Sequence, residues 1–89
     1  MTWLVRWNRT AHIEVDRLVQ SDQTPPRIQT ASDWIDYALR RMPYDVGESR
    51  ESEQQRIWYG DVLGVYYEID EPSQSVVVYS VGLSRRGSR

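Results

Sequence analysis

The chain has 89 residues, no cysteine and one histidine, which excludes a disulfide framework, a thiolate metal site and a zinc site built on His12 alone. Its net charge of −2 and pI near 5.3 argue against a protein that coats nucleic acid by bulk electrostatics. Every cation is an arginine, so no lysine base or Schiff base is available.

At this length one domain spanning 1–89 is expected, with a small core whose four Trp and six Tyr combine bulk with a hydrogen-bonding edge. No apolar run is long enough for a signal or a membrane span, so a soluble, cytoplasmic protein is the expectation. In "TWLVRWN", Trp3, Val5 and Trp7 alternate with Leu4, Arg6 and Asn8, the period of a first strand with one buried face. Ala11, Val15, Leu18 and Val19 then recur at helical spacing, with Asn8 or Thr10 placed as a cap; this helix is expected to run three turns at most before "QSDQT" ends it.

"TPPR" reads as a break, because Pro25 and Pro26 lack backbone donors and favour an extended path. A second helix follows. Thr30 or Ser32 is its candidate cap, Asp33 and Asp36 suit its positive end, and Trp34, Ile35, Ala38, Leu39 and Met42 form its apolar stripe. Arg40 and Arg41 suit its negative end, and Pro43 stops it. The polar "YDVGESRESEQQ" reads as a loop.

Beyond the loop, "QRIWY" and "VLGVYYEID" flank Gly60-Asp61, which suits a tight hairpin turn, and Val65, Tyr67 and Ile69 share one face. "DEPSQS" turns around Pro72 into "SVVVYSVG", apolar on both faces as a central strand would be. Short connections favour antiparallel pairing of these last three strands, with the first strand entering at an edge or beside the last. The expected fold is α+β: β-α-α-β-β-β, a mainly antiparallel sheet with a two-helix hairpin on one face.

"ALRRMPYDVGE", "RIWYGDVLGVYYEID" and the "VVVYSVG" strand with its arginine-rich tail together resemble the RelE/ParE superfamily of small bacterial toxins over nearly the full chain. Leu39, Pro43 and Gly47 match its L-x-x-x-P-x-x-x-G pattern, and Tyr67-Glu68-Ile69 its Y-E-I strand. The resemblance implies the toxin of a type II toxin–antitoxin module of the plasmid-stabilisation kind, neutralised by an antitoxin that wraps it. RelE-like members cut mRNA in the ribosome, and ParE-like members poison DNA gyrase. No metal or organic cofactor is implied. Cleavage would use the RNA 2′-hydroxyl against its own phosphate, with protein groups moving protons and stabilising charge.

Carried over residue by residue, the pattern has gaps. The arginine of the family's R-V-L-Y-E-I strand falls on Gly64, and the histidine of its V-G-H-R-R ending on Leu83. A one-residue insertion returns Arg85 and Arg86 to register. The terminal aromatic is absent, and Arg56 is the one cation on its strand. The candidate catalytic set is therefore Arg56, Arg85 and Arg86 as phosphate contacts, with Tyr66 as a proton donor or base-stacking ring; Tyr59 and Tyr79 share the stacking role.

Each candidate has an ordinary alternative. Arg56 is equally a surface strand residue, the tail arginines solvated or partner-binding, and the tyrosines packing groups of a strand. Glu68 is a candidate general base or an outward-facing carboxylate. His12 reads as a surface residue, and Asp45, Glu48, Glu51 and Glu53 as a solvated linker rather than a metal cluster. A catalytically degenerate binding module of the same fold is the alternative to an active nuclease.

Overall fold

A computed structural model describes residues 2–21 and 25–84. Strand β1 (Leu4–Trp7) is followed by helices α1 (Arg9–Ser21) and α2 (Pro25–Arg41), then by strands β2 (Glu48–Ser49), β3 (Gln55–Tyr59), β4 (Leu63–Asp70) and β5 (Ser75–Leu83). The sheet order is β1-β5-β4-β3-β2. β1 runs parallel to β5 and every other pairing is antiparallel. The expected α+β order is thus present, with β1 both at an edge and beside the last strand. The two-residue β2 is an addition, lying in what reads as pure loop.

The helices pack together and against the sheet. α1 is capped by Asn8, whose side-chain oxygen accepts the Ala11 N–H at 2.9 Å. At 13 residues it is slightly longer than expected, and Ala11 is its fully buried residue. Val15, Leu18 and Val19 lean on the core from its rim.

α2 departs further from its sequence reading. It starts at Pro25 rather than at Thr30 or Ser32, because a proline costs no hydrogen bond in a first helical turn. That extension brings Ile28 into the core beside Ile35 and Leu39. Ser32 is buried and donates to the Gln29 carbonyl at 3.0 Å, so it is no cap. Asp33 and Asp36 are left in the middle of the helix. Asp36 instead accepts from the Trp7 indole at 2.9 Å and from Arg40 at 2.7 Å, tying α2 to β1. Trp34, read as part of the apolar stripe, is 55% exposed.

In β4 the alternation is clean: Leu63, Val65, Tyr67 and Ile69 face the helices, opposite Val76, Val78 and Val81 of β5. The intervening residues form an open face that no described element covers. The β3–β4 turn differs from expectation. Gly60 pairs with Leu63 through its N–H at 2.8 Å, the turn centres on Asp61 and Val62, and neither Gly60 nor Asp61 has positive φ. In the β4–β5 turn it is Gln74 that takes the left-handed conformation, at φ 54°.

Gly47, between α2 and β2, has φ 78°. A Cβ there would lie 2.8 Å from the Ile57 carbonyl and 2.9 Å from the Tyr67 hydroxyl. Gly47→Ala therefore meets backbone strain and a clash with rigid neighbours together. We expect it to cost about 2 to 4 kcal/mol, read as a lower urea midpoint at unchanged m-value.

Candidate functional site

The open face is where side chains can meet a ligand without displacing the core. β4 contributes Gly64, Tyr66, Glu68 and Asp70, and the register sets them opposite Gly82, Ser80, Val77 and Ser75 of β5. Between Tyr66 and Tyr67 the register slips: Tyr66 faces Ser80 and Tyr67 faces Val78, leaving Tyr79 as the extra residue of a bulge. The bulge turns Tyr79 onto Tyr66, with ring centroids 5.9 Å apart and planes 28° from parallel. A cleft of about 450 Å³ runs along this pair, bordered by Ser49, Arg50, Glu51 and Gln55. Burial, then the charges of Glu68 and Glu51, hold the Tyr79 hydroxyl above its usual range. At neutral pH it is a donor.

Towards the β3–β4 turn, Gly64 and Gly82 face one another. The ring of Tyr59 covers Gly64, and a Cβ there would lie 3.1 Å from Tyr59 Cδ1. A hollow of about 180 Å³ opens here, lined by Ile57, Tyr59, Tyr66, Ser80 and Leu83. Leu83, at the family's histidine position, is 56% exposed. Ser84 N–H bonds the Val62 carbonyl at 2.8 Å, so the chain leaves the sheet beside this hollow. Arg85 and Arg86 lie outside the described residues.

Arg56 stands elsewhere. Ile57 is paired with Tyr66, whereas Arg56 is paired with the core residue Tyr67, so Arg56 and Tyr66 belong to opposite faces. Its guanidinium donates to the carbonyls of Glu53 and Tyr44, both at 3.0 Å, and of Gly47 at 3.2 Å, and lies 5.8 Å from the centre of the Tyr44 ring. Beside it the Tyr67 hydroxyl, fully buried, is shared between the Pro43 carbonyl, at 2.7 Å, and that of Val46. Burial pushes this hydroxyl up to about 12, against smaller opposing effects of hydrogen bonding with Arg56 and of its charge. Of the residues that match the family pattern, Pro43, Gly47 and Tyr67 thus meet at one turn, and Leu39 lies in the core.

The remaining candidates are dispersed. Glu68 is exposed on the open face. His12 is exposed on α1, in a cleft with Asp16 and Asp36. Glu48 pairs with Ile57 on the open face. Among the described residues, no three or more His, Asp or Glu side chains converge as metal ligands. Two features lay outside the sequence reading, although helical spacing i, i+3 and i+4 signals the second. Tyr44 donates to Glu71 at 2.6 Å across 27 residues, a bond that raises its hydroxyl. Trp34 and Tyr37, one helical turn apart, stack on the exposed side of α2 with Arg41 over the Tyr37 ring.

No family model and no curated protein matches the sequence. Solved structures do. A chain of the toxin–antitoxin complex RelBE2 from Mycobacterium tuberculosis superposes with a TM-score of 0.76 at 27% identity, over 93% of this chain and 99% of that one. A structure of a mutant of the E. coli toxin RelE in complex with a peptide of antitoxin RelBc superposes with a TM-score of 0.57 at 13% identity, over 92% of this chain and 83% of that one. The chain has the RelE-like toxin fold.

Two outcomes follow from the Tyr67–Arg56 arrangement. Removing the guanidinium in Arg56→Gln frees three carbonyls and is expected to cost about 1 to 2 kcal/mol in urea unfolding. Because folding raises the Tyr67 pKa from 10.0 to about 12, its contribution is complete below pH 10 and is lost as pH rises through 12. Stability should fall across that window, and Tyr67→Phe should flatten the fall while lowering stability at neutral pH.

Proposed function

We propose that this chain is the toxin component of a toxin–antitoxin pair, acting in the cytoplasm and held inactive by an antitoxin. The likeness to a RelBE2 chain over 93% of this chain carries the reading, since it runs over nearly the whole length rather than a shared motif. In the finer form of this proposal the chain cuts mRNA on the ribosome. RNA lies across the open face, and Arg85 and Arg86 bring positive charge to the phosphate. The Tyr66 hydroxyl serves the leaving oxygen or orients a base. Arg56 acts through the 43–47 turn that it holds, as a positioning residue. The RNA supplies its own nucleophile, so the reaction calls for no cofactor.

A specific observation favours a second reading, a binding module that has lost its chemistry. Gly64 stands where the family has an arginine, under the ring of Tyr59, and Glu48, Glu68 and Asp70 occupy open-face positions. A phosphate there meets carboxylates.

A translation reaction reconstituted with this protein, with new mRNA 5′ ends mapped against a reaction lacking ribosomes, separates the two. Breaks that require ribosomes and fall at least about tenfold in Tyr66→Phe or in Arg85→Ala with Arg86→Ala are the expected outcome. Absence of breaks with folded protein moves the function to a binding module or, if supercoiling by gyrase is inhibited instead, to a gyrase poison.

A further inference from the structure

The Tyr66–Tyr79 pair is an aromatic platform without a described partner above it, and a platform of this kind accepts either a nucleobase or a cation. The charge around it decides which. Open-face strand positions hold Glu48, Glu68 and Asp70 against one guanidinium, Arg6. Glu51 borders the cleft on its β2 side, with Arg50 as the one cation of the lining, while Glu68 follows Tyr66 on the same face of β4. The two carboxylates therefore flank the platform.

We propose that this cleft docks an arginine- or lysine-bearing segment of a partner protein, one cation lying against the Tyr66–Tyr79 pair between Glu51 and Glu68. A guanidinium suits the seat best: it is planar, weakly hydrated and able to stack on a ring while its edge donates to carboxylates. A nucleotide gains the same stacking but sets its phosphates among like charges, which complementary interfaces avoid. Arg50 selects against an unbroken basic run and favours a segment whose cations alternate with neutral or acidic residues. The inference concerns what the face accepts and stands whether or not the chain cleaves RNA. If it does, an occupant of this seat covers Tyr66 and blocks the substrate directly.

The test uses the whole chain and a fluorescein-labelled, end-capped heptapeptide of alternating serine and arginine, followed by anisotropy at low and raised salt. Saturable, salt-sensitive binding is expected. It should weaken about tenfold in Glu51→Gln with Glu68→Gln, a variant whose melting temperature stays that of the parent because both side chains are exposed, and comparably in Tyr79→Ala. No binding, equal binding by the glutamine variant, or a heptauridine that binds more tightly than the peptide would each overturn the proposal, the last in favour of RNA.

Discussion

A phenol hydroxyl buried beyond the reach of water must be answered by the chain itself, and the answer given to Tyr67 organises this protein. Its ring is part of the core layer of β4, so its position is set by the same alternation that places Val65 and Ile69. Its hydroxyl reaches out of that layer to carbonyls of the turn that follows α2, and the turn must curl back to meet it. Gly47 permits the curl, Pro43 ends the helix at the right point, and Arg56 binds carbonyls of the same turn beside the hydroxyl. An unpaired group there would cost more than the bond contributes, which makes the arrangement all-or-none.

This explains how the residues most diagnostic of the toxin fold say little about activity. Pro43, Gly47 and Tyr67 are bound together by packing and hydrogen-bonding demands, and Leu39 is part of the core beside Tyr67's ring layer. The opposite face of β4 is under no such demand. Tyr66, Glu68 and Gly64 alternate with the core residues yet answer only to what lies above the sheet, so chemistry there can change while the scaffold stays.

The sequence was legible where one physical rule dominates. Alternation in "LGVYYEID" assigns β4 and its buried face residue by residue, and the helical spacing of Ile35, Ala38 and Leu39 finds the buried side of α2. It was illegible where two rules compete. Pro25 and Pro26 break a strand or a helix interior but are tolerated in a first turn, and only Ile28's place in the core shows which applies. β2 has two polar residues and no pattern; its pairing with β3 follows from the turn before it. The use of Arg56 depended on carbonyls nine and twelve residues upstream, which no side-chain pattern encodes. The platform required a bulge, and a bulge at Tyr79 leaves no mark in a run of valines.

The place of β5 in the sheet has a temporal meaning. It is the last of the described strands to be synthesised, yet it lies between β1 and β4 and, among the described residues, makes the only strand pairing that β1 has. Until it arrives, α1 lacks the strand it chiefly packs against, and the β2–β4 meander has one unmatched edge of core residues. Long-range closure of this sort is slow compared with local helix or hairpin formation. A nascent chain thus carries an open core until β5 has been made, a window open to a partner before the sheet is complete.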